Sequence, residues 1–245
     1  MGPRRRADRQ GAAGQRRTTA QQALVSVLGA IAYGEHKAHE KAAIRAQSAW
    51  GDDERRAWRR IAAEELRHHR GFVRRLRALG ADPEQAMAPF RASLDAFHDR
   101  PAHPDPVYVA VADVIGEGIA TDLLGWLRKV ADPDTALFVD TVLADEAGHE
   151  ARAVAEVGRL IASVPGGRRR ATAGARAMLL GMARSGAGRR TRLVAFVELG
   201  RPHELVGAIV AGYARRATQL GIGPLGRLHD VTGALAQMAR RDIAA

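Results

Sequence analysis

Glu64-Glu65-Leu66-Arg67-His68 and Asp145-Glu146-Ala147-Gly148-His149 are the two stretches that decide the fold. Each sets a carboxylate three residues before an imidazole within a long helical pattern, pairing Glu65 with His68 and Glu146 with His149. At about 100° per residue, positions i and i+3 lie roughly 60° apart around a helix, so both side chains project from one face. One more glutamate precedes each pair at nearly the same distance: Glu35 by 65 − 35 = 30 residues and Glu117 by 146 − 117 = 29. That spacing reads as two helical hairpins, each giving one Glu from its first helix and Glu-x-x-His from its second. Glu35, Glu65, His68, Glu117, Glu146 and His149 then form a ligand set for two neighbouring metal ions inside a four-helix bundle.

The apolar periodicity supports this placement. Leu24, Leu28, Ile31, Glu35 and Ala38 share a stripe, so Glu35 falls in an apolar seam where an unpaired carboxylate is expensive. The second seam is Trp58, Ile61, Glu65, His68, Phe72, Leu76 and Leu79; the third is Val107, Val111, Val114, Glu117 or Gly118, Thr121 and Leu124. The fourth is Phe138, Val142, Glu146, His149, Ala153, Val157 and Leu160. Gly34 beside Glu35 reads as allowing close approach of another backbone, and Gly116 and Gly118 around Glu117 as leaving space beside a metal or small substrate or marking a local deviation of the helix. Glu64 and Asp145 each lie four residues before the histidine of their own helix, the spacing for a carboxylate that orients a ligand imidazole. His69 competes with His68 but points about 100° away, which predicts exposure. Asp95, His98 and Asp122 are candidates for a substrate pocket.

Four carboxylates and two imidazoles suit two divalent ions, with iron or manganese matching the mixed oxygen and nitrogen donors. The absence of cysteine excludes disulfides, thiolate zinc sites and iron–sulfur clusters. The net charge of +11 makes a polyanion a plausible partner. No apolar run is long enough to span a bilayer, so no membrane partner is expected. Arg16-Arg17 before the apolar segment has the outline of a twin-arginine signal. Because that segment runs on at helical spacing into Glu35, a cytoplasmic location is the better expectation.

In chain order, residues 1–18 carry six arginines and are expected to form a disordered basic arm. Helices are expected from Thr18 or Thr19 to Ser48, from Gly51-Asp52-Asp53 to Leu79, from Pro106 to Ala131, and from Asp132-Pro133-Asp134 onward. A proline-rich crossover over 81–105 joins the hairpins and carries one short helix near Glu84 to Phe97. Together, 19–164 make the bundle and 165–245 a helical extension packed on it. Helical stretches at about 168–184, 190–219 (broken near Gly200-Arg201-Pro202) and 225–243 cover one end of the bundle or support a homodimer. Arg168, Arg169, Arg170, Arg189 and Arg190 form basic clusters that suit nucleic acid.

The arrangement resembles the ferritin-like superfamily of non-haem di-iron proteins. Within it, the chain looks most similar to the family of tRNA hydroxylases acting on 2-methylthio-isopentenyl-adenosine. Tyr33-Gly34-Glu35, Glu65-Leu66-Arg67-His68, Leu94-Asp95-Ala96-Phe97-His98, Gly116-Glu117-Gly118-Ile119-Ala120 and Glu146-Ala147-Gly148-His149 carry that resemblance, which covers residues 20–162 well and the rest loosely. It implies two iron ions, O2 as co-substrate, an electron donor of unknown identity, and hydroxylation of an unactivated carbon on a modified tRNA nucleoside. Competing readings use the same ligands: a ferritin- or rubrerythrin-type ferroxidase or peroxidase, or a manganese catalase. From another class, a non-enzymatic basic helical protein could bind nucleic acid and keep a vestigial metal site.

Overall fold

The computed structural model describes the backbone of residues 4–99, 103–186 and 190–222, and the side chains of 19–99, 103–181 and 194–222. The helix expected over 225–243, Arg189 and the side chain of Arg190 lie outside the described residues. Among the described residues all regular structure is helical. The chain divides into two compact units: residues 1–98 with 191–200, and residues 99–190 with 201–245. The division falls inside the proline-rich crossover rather than at residue 164, because the helices after residue 165 that belong to the second unit pack on its own hairpin.

The first unit is built on a hairpin of α1 (Arg4–Ser48) and α2 (Asp52–Ala78). Helical backbone in α1 reaches back to Arg4, upstream of the expected start at Thr18 or Thr19. Ala, Arg and Gln dominate that stretch and no proline follows Pro3, so nothing local interrupts a helix. Leu24, Val27, Leu28 and Ile31 of α1 and Ile61, Phe72 and Leu76 of α2 are buried, as their spacing predicts. Gly80 ends α2 in a left-handed conformation (φ 74°), with Ala81 N–H donating to the Leu76 carbonyl.

The crossover holds more helix than the single piece expected: α3 (Pro83–Met87), a 3₁₀ turn at Ala88–Phe90 and α4 (Arg91–His98). Pro89 has no N–H to give an α-helical ladder, which accounts for the tight turn at that point. Gly29 lets α1 approach this segment. A Cβ there would overlap the Ala86 carbonyl.

The second unit places α5 (Pro106–Val130) against α6 (Pro133–Ser163), α7 (Gly167–Gly186) and α9 (Pro202–Gln219). A short α8 (Arg190–Leu199) precedes α9, and the break at Gly200-Arg201-Pro202 is where the sequence predicts it. Three helix starts share one device: Asp82, Asp105 and Asp132 each cap with the side chain while a proline occupies the first helical position. Trp126, almost fully buried, donates its indole N–H to the Arg201 carbonyl at 3.1 Å and ties the start of α9 to α5.

Gly34 differs from Gly29, since among the described residues no atom beyond its own stretch of helix lies within 4 Å of where a Cβ would be. The expectation that Gly34 admits another backbone is therefore not met. Gly34→Ala should be neutral or stabilising by up to about 1 kcal/mol, the ordinary gain of alanine inside a helix. Gly29→Ala should destabilise by about 1–3 kcal/mol through overpacking, and urea unfolding of the two variants measures the contrast.

Candidate metal centre

In the first unit, helical register brings Glu35 of α1 opposite Glu65 and His68 of α2. Glu35 is 9% exposed, Glu65 6% and His68 1%. His68 Nδ1 lies 3.6 Å from Glu35 Oε2 and 3.5 Å from Glu65 Oε2, and candidate ligand atoms of the three lie within 4.8 Å of one another. These separations exceed a hydrogen bond. They match the roughly 3.0–3.5 Å between neighbouring ligand atoms bound at about 2.1 Å to one ion. Carboxylate and imidazole donors suit iron, manganese or zinc, so the group fits a divalent cation.

The second unit repeats the local geometry. His149 Nδ1 is 3.5 Å from Glu146 Oε1, and both side chains are 16% exposed. Glu117 departs from the expectation: it is exposed, and Gly118 takes the buried position on α5. The apolar seam therefore passes through Gly118 at this turn. Gly118 is small for a reason the sequence reading did not see, because a Cβ there would fall within 2.6 Å of Arg216 Cδ. Glu64 and Asp145 are both half-buried. His69 is not exposed, as its Nδ1 sits 2.7 Å from the Ala32 carbonyl oxygen and half-buries the ring between the helices.

Two of the proposed pocket residues have other work. Asp95 accepts a 2.6 Å hydrogen bond from the Tyr33 hydroxyl, which raises the Tyr33 pKa above its usual value. Lys37 Nζ lies 3.8 Å from Asp95 and 2.9 Å from Glu40, and its hydrogen bond holds the Glu40 carboxyl below the ordinary range. Asp122 pairs with Arg216, a fully buried arginine on α9. Arg216 Nη1 is also 3.6 Å from Glu150 Oε1. Burial pushes the Asp122 carboxyl upward while Arg216 and Arg215 pull it down. Gly212 makes room for Asp122 as Gly118 does for Arg216. This cluster was legible in principle, since Leu205, Ile209, Arg216 and Leu220 fall at i, i+4, i+11 and i+15.

A family model for ferritin-like domains of actinomycetes matches residues 18–197. The chain belongs to this ferritin-like family. No curated protein matches it. Membership agrees with an all-α bundle and with a carboxylate and histidine cluster that could hold a metal ion. No helix among the described residues is long and apolar enough to cross a membrane.

Arg216→Met should destabilise the protein by about 2–4 kcal/mol, because it leaves the mostly buried carboxylates of Asp122 and Glu150 with only the exposed Arg215, 3.7 and 3.8 Å away, as cation. Adding Asp122→Leu should recover part of that loss in thermal unfolding.

Proposed function

We propose that this ferritin-like chain is a non-haem dimetal oxygenase, holding two iron ions and using O2 to hydroxylate a modified tRNA nucleoside. The observation that carries the metal assignment is the buried Glu35, Glu65 and His68 cluster, with donors spaced as ligands of one ion. The matching Glu146–His149 pair supports a second ion. In this reading Glu35, Glu65 and His68 are ligands from the first unit and Glu146 and His149 from the second, and Glu117, exposed on α5, is the expected ligand that substitution has to test. Two iron ions so held would supply O2 activation.

The chain's own residues set the conditions. Apolar neighbours keep water from the ligand carboxylates, and Glu64 and Asp145 orient the imidazoles. The repeated Glu-x-x-His pair supports a dimetal site, and the sequence resemblance supports a hydroxylase. Exposed Arg168, Arg169 and Arg170 at the start of α7 offer contacts for RNA phosphates.

Metal analysis of the purified protein is the first test, with about two iron (or manganese) ions per chain expected. Glu65→Ala and His149→Ala should each lose metal while keeping a helical circular-dichroism spectrum. Retention of both ions by either variant would remove that residue from the ligand set. Glu117→Ala is the most discriminating variant, because its exposure makes it the ligand with least structural support. Nucleoside profiling of tRNA from a deletion strain then tests the substrate: loss of one hydroxylated nucleoside is expected. An unchanged profile with rapid oxidation of free Fe²⁺ would point to a ferroxidase.

A further inference from the structure

The same helix that carries Glu65 and His68 on its buried side presents a row of arginines on its other side. Beyond Arg55, the exposed residues of α2 are Arg56, Arg59, Arg60, Ala63, Arg67, Arg70, Arg74, Arg77 and Ala78. The exposed acids of α2, Asp52, Asp53 and Glu54, all precede this run in the first turn, and within it only the half-buried Glu64 flanks the row, beside Arg60 and Arg67. Arg56, Arg60, Ala63, Arg67, Arg70, Arg74 and Arg77 step by four and three residues in turn, so they form one straight stripe about 32 Å long. Arg56 pairs with Asp53, but Arg59, Arg60, Arg70, Arg74 and Arg77 have no acidic partner among the described residues.

A solvated helix face ordinarily mixes charges of both signs, because like charges three and four residues apart repel. This face does not. At its N-terminal end stands Trp50, 99% exposed, with its backbone N–H 3.3 Å from Glu54 Oε2. Asp52, Asp53 and Glu54 lie between it and the arginines, and Arg55 and Arg56 pair with Asp52 and Asp53. An exposed aromatic ring at the end of a helix that carries a row of guanidinium groups offers a flexible nucleic acid strand fixed cations for phosphates and a flat surface for an unstacked base. Arginine suits that role, since its planar fork binds phosphate through two hydrogen bonds. A membrane would ask for apolar side chains among the cations, and the stripe offers only Ala63.

We propose that the outer face of α2, with Trp50 at its end, is an RNA-docking surface for a single-stranded or loop segment. The choice of RNA rests on the tRNA reading above, whereas the unbalanced arginine row does not depend on it. It tethers substrate to the helix that supplies Glu65 and His68.

The test is fluorescence anisotropy with labelled total tRNA and with a short single-stranded RNA, using the full chain as purified. The triple variant Arg60→Gln/Arg70→Gln/Arg74→Gln should weaken binding on the order of 100-fold near 0.1 M salt and make the log K against log salt slope shallower by about 2. The triple lysine variant at the same positions should keep most of that slope. Trp50→Ala should weaken single-stranded RNA binding by about 5- to 100-fold and remove the tryptophan quenching that RNA causes. Circular dichroism and metal content guard against a folding defect in the glutamine variant. Glu65→Ala, which removes metal, should bind RNA like the unaltered protein. That separates the two readings: stripe-dependent RNA binding by an unaltered protein that purifies without metal supports the surface and not the oxygenase. Equal RNA affinity of the glutamine variant and the unaltered protein overturns the proposal. So does a stripe needed for phosphatidylserine vesicles but not for RNA.

Discussion

Two carboxylates and an imidazole share the apolar seam between α1 and α2, and the rest of the first unit has to accommodate them. Removing a carboxylate from water costs several kcal/mol even after the protein relaxes. Glu35 and Glu65 are both buried in that seam, and His68 Nδ1 stands 3.5–3.6 Å from a carboxylate oxygen of each. A divalent cation between the three would offset the burial and account for the gap. The surrounding leucines, isoleucines and Phe72 then have a second role, keeping water away from a charged centre.

The second unit handles a buried carboxylate differently. Asp122 is offset from within the chain by Arg216, which reaches in from α9 between two glycines that leave space for the pair. The counter-ion here is covalently part of the protein, so it also docks a helix. Glu146 and His149 keep the donor types and the 3.5 Å spacing of the first unit. The two arrangements are told apart by the partner each carboxylate has: a buried arginine for Asp122, a histidine for Glu146.

Much of this was readable from residue order. Glu65 and His68 fell in consecutive positions of an apolar stripe, and burial follows from that periodicity alone. The helix starts at Pro106 and Pro133 were equally clear, because an aspartate before a proline is a local signal. Glu117 was not decided this way. The third seam admitted either Glu117 or Gly118, and only the packing of Arg216 against Gly118 turned the glutamate outward. His69 failed for a related reason, since its angle on α2 predicts solvent but the Ala32 carbonyl of α1 sits in its path.

Sequence by itself determined the helices, their buried faces and the repeated Glu-x-x-His chemistry, because these depend on neighbours three and four residues away along one helix. Tertiary structure alone decided which glycine faces which side chain, that Asp95 serves Tyr33 and Asp122 serves Arg216, and that the chain divides within its crossover. Those outcomes depend on atoms tens of residues apart competing for the same space. No local period records that competition.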